Sequence, residues 1–156
     1  MQNRMKTHQL SKEQMETLLE RCMTGTLATI SEDNTPYIIP IHYVYMDGSI
    51  YFHGLGKGKK VDNILACPDV CFNVYEMDGL LLPNNGRPCS TNTKYQSVTV
   101  FGEAQIIENF DGKLAALTAI AKKYTHQLRG EISSSAVEKT MVVKITVSKM
   151  TGKYYG

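Results

Sequence analysis

The first pattern along the chain is an apolar stripe at helical spacing, formed by Met15, Leu18, Leu19 and Cys22. This spacing predicts an amphipathic helix near the N-terminus. Ser11 followed by Gln14 is a capping-box pattern, which predicts where the helix begins. Gly25 is a residue type that commonly ends such a segment.

Alternation of apolar and polar positions comes next and predicts strands. A strand is expected around residues 26–30, and a second over residues 37–45, where tyrosine and isoleucine fall on one face. Pro40 cannot donate to a ladder, so it marks an edge or a bulge in that strand. Asp47 and Gly48 are typical of a tight hairpin, which returns the chain through residues 50–53.

The second half of the chain alternates between longer strands and loops. A glycine-rich basic loop at residues 54–60 leads into a short helix that Pro68 stops. Further strands are expected at residues 70–75, 98–106 and 141–147, with a loop over residues 80–93 that is rich in Pro, Asn, Gly and Ser. Asp111 is expected to cap a helix whose apolar side carries Leu114, Leu117, Thr118 and Ala121.

These elements predict a mainly β fold, a barrel-like antiparallel structure with flanking helices. The strands come in hairpins rather than in regular βαβ alternation, which disfavours a doubly wound sheet. A chain of 156 residues has room for one ordinary domain, so we expect a single domain over residues 1–156 with residues 1–10 flexible.

Composition excludes several classes of protein. The formal net charge is only +2, which gives no reason to expect nucleic acid or an anionic membrane as a partner. No apolar run reaches the roughly 18 residues of a membrane span, and the N-terminal residues lack the apolar stretch of a secretory signal. The cytoplasm is therefore the expected location.

The four cysteines Cys22, Cys67, Cys71 and Cys89 are expected to be free thiols, because no secretory signal accompanies them. Cys67 and Cys71 have Pro68 between them, and their spacing is wider than that of a zinc-binding pair. Buried structural thiols are the favoured interpretation, and no metal site is predicted.

The basic loop is the most informative segment for function. It contains three glycines and three lysines without an acidic residue, and it opens a helix whose first N–H groups lack partners. Glycine, lysine and a helix N-terminus together describe a phosphate site. The spacing is neither that of a P-loop nor that of a dinucleotide fingerprint. A solvated basic hairpin end is the alternative.

Several segments together resemble the pyridoxamine 5'-phosphate oxidase-like FMN-binding split barrels, across roughly residues 10–153. They are GTLAT (25–29), PYIIPIHYVY (36–45), IYFH (50–53), GKK (58–60), YQSVTVFG (95–102) and SKMTGK (148–153). The branch that they resemble most is the nitroimidazole-resistance (Nim-type) proteins. Each motif is loose, whereas their order and spacing are specific.

The resemblance implies a six-stranded antiparallel FMN-binding split barrel that forms a homodimer with FMN at the subunit interface. It further implies that Gly58, Lys59 and Lys60 hold the FMN phosphate. Pro40, Ile41, His42 and Tyr43 would lie along the flavin, while Gln96 and Ser97 would contact it, in one interpretation from the second subunit. His53 corresponds to the histidine that Nim-type proteins place beside the flavin.

The sequence also departs from the family. Lysine replaces the arginine that members often use in the phosphate loop, and lysine offers a point charge rather than a bidentate fork. The chain has only the four arginines Arg4, Arg21, Arg87 and Arg129, and no clear set for pyridoxal phosphate. This argues against a true pyridoxamine phosphate oxidase.

The functional hypothesis is an FMN-dependent oxidoreductase that passes electrons from a nicotinamide donor to a small-molecule substrate such as a nitro compound. His53, whose ordinary pKa is about 6.5, is the candidate catalytic residue for proton delivery. The alternatives are a non-catalytic module that holds flavin or haem, with His42 or His53 as an axial ligand, and a structural dimer without a ligand. The sequence does not identify the physiological substrate or the electron donor.

Overall fold

A computed structural model describes residues 6–127 and 130–156 of the chain. Within these ranges the helices are α1 (Lys12–Arg21), α2 (Lys59–Ala66), α3 (Phe110–Tyr124) and α4 (Ser134–Lys139), with a 3-10 turn at Pro88–Ser90. The strands are β1 (Gly25–Ile30), β2 (Pro36–Ile41), β3 (Val44–Met46), β4 (Ser49–Gly54), β5 (Asp69–Leu81), β6 (Asn92–Ile106) and β7 (Met141–Tyr155).

The strands of the described residues form one antiparallel sheet in the order β2-β1-β5-β6-β7-β4-β3. The two edge strands, β2 and β3, are consecutive in the chain and joined only by His42 and Tyr43. Three residue steps span at most about 11 Å, so the two edges must lie close together. The sheet therefore curls into a barrel, which confirms the predicted mainly β class with flanking helices.

The sheet has seven strands among the described residues, whereas six were expected. The difference arises where a single strand over residues 37–45 was predicted, because the chain breaks into β2 and β3. At the break, the backbone N–H of Tyr43 donates to the hydroxyl of Tyr124 (2.8 Å), and that hydroxyl also lies 2.8 Å from the Tyr43 carbonyl oxygen. A side chain of α3 thus replaces a neighbouring strand at this point.

The main core fills the inside of the curled sheet and is covered by α1. Tyr43 is fully buried there, with its ring edge-on to Phe72 at 4.7 Å and its hydroxyl donating to the Leu19 carbonyl (2.6 Å). A smaller cluster lies under α3 and α4, and it consists of Ala116, Leu117, Val137 and Val142.

Two glycines allow close contacts that this core requires. A Cβ at Gly25 would overlap the ring of Phe72, and a Cβ at Gly102 would overlap the backbone oxygen of Thr146. The register between β6 and β7 shifts beside Gly102, so the two backbones approach closely there.

The local predictions agree well with the structure at the first helix. The capping box of Ser11 and Gln14 is confirmed, and α1 begins directly after it. The cap of α3 is Asn109 rather than Asp111, because the Asn109 side chain accepts from the N–H of Gly112 (2.7 Å).

Strands β5, β6 and β7 are longer than the apolar alternation indicated, and the loop shrinks from residues 80–93 to 82–91. Residues 1–5 of the N-terminal segment that was expected to be flexible lie outside the described residues. Of the rest, Gln9 bridges to Lys153 and Leu10 is buried.

Candidate functional site

The basic turn between β4 and α2 presents a helix N-terminus to solvent. Gly58 occupies the N-cap position at a φ of 110°, a conformation that favours glycine, and no side chain caps the helix. The N–H groups of Val61 and Asp62 donate to the Gly58 carbonyl oxygen (2.8 and 3.1 Å), so those of Lys59 and Lys60 are the first-turn donors left for an anion.

The two consecutive lysines of this turn have different surroundings. The Lys60 ammonium lies 5.1 Å from the ring centroid of Phe52, and partial burial lowers the pKa of Lys60. Lys59 is exposed and lines a separate depression that also contains Asp33 and Asp62. Lys60 is thus the lysine that the fold fixes beside the end of β4.

The two histidines singled out in the sequence come together. The β3–β4 hairpin pairs Val44 with Tyr51, and continuing this register by two residues places His42 opposite His53. Both side chains are exposed, and both line one cavity of about 400 Å³.

This histidine cavity lies between the outer face of the β3–β4 hairpin and α3. The ring of His42 stacks on Tyr124, with centroids 4.7 Å apart and planes inclined by 25°. The remaining lining is largely apolar and consists of Leu117, Ile120, Ala121, Thr125, Ile132 and Thr140. None of the described lining residues is acidic.

The electrostatic environment keeps His53 in its neutral form near pH 7. Partial desolvation of the imidazole against the cavity wall is the main cause that lowers the pKa of His53, although the side chain still reaches solvent, and the electrostatic effects of His42 and Lys60 lower it further. A neutral imidazole accepts a proton at one ring nitrogen and donates from the other. Its position beside an apolar cavity therefore suits proton exchange with a bound molecule.

The other predicted residues of the β2–β3 region differ in access. The Pro40 side chain is exposed, whereas Ile41 is half-buried against the core. Tyr43 is fully buried, so its side chain packs in the main core beneath the site and not in the cavity.

Gln96 and Ser97 lie on opposite faces of β6, as strand alternation requires. The Gln96 amide oxygen accepts from Arg21 (3.0 Å), which also makes a two-point ion pair with Glu76. Ser97 faces the outer side, where its hydroxyl accepts from Asn73 (3.2 Å).

Neither residue approaches the histidine cavity of its own chain along the sheet. On β7, Val142 lies opposite His53 and Lys153 lies opposite Ser97. Val142 and Lys153 are eleven positions apart on β7, which corresponds to about 36 Å along the strand. One chain therefore does not bring Ser97 and His53 to the same site.

Sequence reasoning missed the wall that α3 contributes. Ile120 and Tyr124 of α3 line the cavity together with Thr140, which follows α4, yet nothing in a local motif marks them. The apolar side predicted for α3 included Leu117 and Ala121, and this amphipathic pattern was the only signal available.

The cysteines are free thiols, as predicted, but only Cys22 is buried and Cys89 is exposed. Among residues 6–127 and 130–156, no three His, Cys, Asp or Glu side chains form a group suited to a metal ion. None of the described helices has the length and apolar character needed to cross a membrane.

Comparison with known families gives one match over nearly the whole chain. A sequence model of the family described as pyridoxamine 5'-phosphate oxidase matches residues 11–154. No curated protein matches the chain significantly.

Solved structures with the same fold were found in several bacteria. A Bacteroides thetaiotaomicron protein, provisionally described as a 5-nitroimidazole antibiotic resistance protein, is 24% identical, with 93% of this chain and 85% of that chain covered and a TM-score of 0.82. The FAD and haem binding protein of Mycobacterium smegmatis is 20% identical, with 94% and 73% covered and a TM-score of 0.81. A FAD-binding protein of Mesorhizobium loti is 23% identical, with 95% and 97% covered and a TM-score of 0.70. At these identities the likeness concerns the fold.

Proposed function

This chain belongs to the pyridoxamine 5'-phosphate oxidase family, and we propose that it is an FMN-dependent oxidoreductase that reduces a small acceptor such as a nitro compound. The observation that carries the proposal is that His42 and His53 line one largely apolar cavity, while Lys60, close enough to His53 to lower its pKa, lies at the end of the same strand, where α2 begins without a side-chain cap. The flavin-binding and nitroimidazole-resistance descriptions of similar structures support the same choice.

The residues present fit a flavin with a phosphate tail. Lys60 and the first N–H groups of α2 would bind the phosphate, while Gly58 leaves the backbone open to it. Lys59, one helical position away, would add long-range attraction from its exposed site. The apolar wall of α3 would cover the ring system and exclude water from it.

Bound FMN would supply the hydride or electron transfer, which is chemistry that side chains cannot perform. A nitro acceptor would take two electrons and two protons, becoming a nitroso group with release of water. A reduced nicotinamide would provide both electrons and one proton. His53 would take up the second proton from solvent at one ring nitrogen as it donates the proton of the other ring nitrogen to the acceptor.

The homodimer is part of this proposal, because a second copy would bring the remaining predicted residues to the site. The outer face of β2, β1, β5 and β6 carries five exposed apolar side chains, Ile30, Ile38, Tyr75, Met77 and Phe101. An apolar patch of this kind is typical of a protein interface. Ser97 lies on the same face, so its hydroxyl would contact a partner subunit that packs there.

The direct test is to purify the protein, record its visible spectrum and identify the released ligand by mass spectrometry. The proposal expects an oxidised flavin spectrum, a released mass of FMN and a solution mass of two chains. Changing Lys59→Ala together with Lys60→Ala should abolish FMN retention, because the two lysine charges that would hold the phosphate are lost.

The matched control removes two exposed lysines elsewhere, Lys12→Ala with Lys122→Ala, and should retain FMN. Full FMN occupancy in the variant without Lys59 and Lys60 would show that the phosphate binds at another place. Saturating FMN at 100 times its Kd should also stabilise the wild-type protein by about 2.7 kcal/mol.

A second candidate is a module that binds haem or flavin without turnover. The specific observation in its favour is that His42 and His53 both present exposed imidazoles to one cavity, and a histidine is a common axial ligand of haem. An intense Soret band in place of the flavin spectrum would select this candidate.

A further inference from the structure

Asn73 is the centre of a polar cluster on the outer face of the sheet. Its amide nitrogen lies 3.2 Å from the Ser97 hydroxyl, 2.9 Å from the Val98 carbonyl oxygen and 3.0 Å from the Thr99 hydroxyl. A carbonyl oxygen only accepts, so the group facing these atoms must be the NH2 and not the amide oxygen. The orientation of Asn73 is therefore settled by its partners.

The orientation of Asn73 determines which hydrogen-bonding groups of the Ser97 and Thr99 hydroxyls remain free. Each serine or threonine hydroxyl has one hydrogen to donate and two lone pairs that accept. The two hydrogens of the Asn73 NH2 group are shared among the Val98 carbonyl oxygen and the hydroxyls of Ser97 and Thr99, and among the hydrogen bonds of the described residues neither hydroxyl donates to a partner. Their hydrogens remain free to point away from Asn73.

The two hydroxyls also share a direction. Ser97 and Thr99 are two positions apart on β6, so they lie on one face about 7 Å apart. Ser97 is only 8% exposed, which makes an unused donor there more costly than on an open surface. The pair forms a short row of donors set among the exposed apolar side chains of the same face.

We propose that Asn73 is a positioning residue, which turns the hydroxyls of Ser97 and Thr99 outward as donors to an oxygen-rich group of the cofactor bound in the partner subunit. This inference rests on the proposed function, because it requires a flavin at the subunit interface. The acceptor oxygens belong either to the phosphate or to the carbonyls of the flavin ring. Both groups accept hydrogen bonds from neutral hydroxyls.

Asn73→Asp tests the inference because it keeps the shape of the side chain and reverses its hydrogen bonding. A carboxylate only accepts, so both hydroxyls would turn their hydrogens inward and present lone pairs to the cofactor. FMN affinity, measured by quenching of flavin fluorescence, should fall by about tenfold or more, since at least one hydrogen bond to the ligand is lost. Asn85→Asp, in the exposed turn between β5 and β6, adds the same charge and should leave affinity unchanged.

The combined variant Ser97→Ala with Thr99→Val removes the hydroxyls and keeps Asn73. It should lose affinity by a similar factor, and adding Asn73→Asp to it should cause almost no further loss. An undiminished tenfold effect of Asn73→Asp in the absence of both hydroxyls would overturn the inference. Because the combined variant lacks the buried carboxylate, it reports on the donors even if Asn73→Asp folds poorly.

Riboflavin, which lacks the phosphate, distinguishes the two acceptors. If the hydroxyls contact the phosphate, the variants weaken FMN binding and leave riboflavin binding unchanged. If they contact ring carbonyls, both ligands bind more weakly and the visible absorbance band of the bound flavin shifts. Wild-type protein that binds neither ligand would refute the proposed function and the inference with it. If FMN binds tightly and its affinity is the same in all three variants, the inference alone is refuted.

Discussion

The hydroxyl of Tyr124 connects α3 to the Tyr43 backbone, where the barrel closes. The variant Tyr124→Phe should show how much these hydrogen bonds contribute to the free energy of unfolding. The hydroxyl accepts from the N–H of Tyr43 (2.8 Å) and lies 2.7 Å from the carbonyl oxygen of Met23. Tyr43 is fully buried, so phenylalanine would leave its N–H without a partner. An unsatisfied buried group costs about 1–3 kcal/mol. For a domain of this size, the expected fall in Tm is about 2–12 °C.

Chemical denaturation monitored by circular dichroism gives the free energy of unfolding in the ligand-free protein. Tyr37→Phe is the matched control, because the half-exposed Tyr37 hydroxyl has no hydrogen bond among the described residues. The control should change stability by less than about 0.5 kcal/mol. If the Tyr124 variant is as stable as the control, the strand break at Tyr43 does not depend on this hydroxyl and our account of it is wrong.

Two further changes follow from the electrostatics and the packing. The folded-state pKa of His53 lies below its ordinary value of about 6.5, so the unfolded chain binds more protons and stability falls as pH drops through that value. His53→Gln should therefore show a smaller fall in Tm than wild type between about pH 7 and pH 5, and equal falls would contradict the assignment. Gly102→Ala should cost more than about 2 kcal/mol in denaturant titrations, because its Cβ would overlap the Thr146 backbone oxygen. Gly130→Ala, with open space around it, should cost little, and similar losses in both variants would refute the steric argument.

Local chemistry made the elements near the N-terminus predictable. The capping box of Ser11 depends on residues three positions apart, and the hairpin at Asp47 depends on its own turn conformation. Both are decided by neighbours in the chain, so both could be recognised in the sequence. The same holds for the glycine and lysine turn that begins α2.

Only one part of the candidate site, the pair His42 and His53, was predictable, because the hairpin turn fixes which residues of its two strands lie opposite each other. The turn at Asp47 and Gly48 fixes the pairing of β3 with β4, and the pairing places His42 opposite His53. The register of this hairpin thus encodes the juxtaposition of the two histidines. The α3 wall was not contained in it, because Tyr124 reaches the cavity across 81 residues of chain.

The sequence by itself determined the class of fold, the first helix, the hairpin and a basic turn at a helix N-terminus. Only the tertiary structure decided that residues 37–45 divide between two edges of one sheet, that Lys59 and Lys60 have different surroundings, and that Gln96 and Ser97 face opposite ways far from His53. The physical reason is the separation along the chain of the groups that interact. Caps, turns and periodicity are set by hydrogen bonds within a few residues, whereas strand breaks and site composition are set by groups that meet only after the sheet has curled.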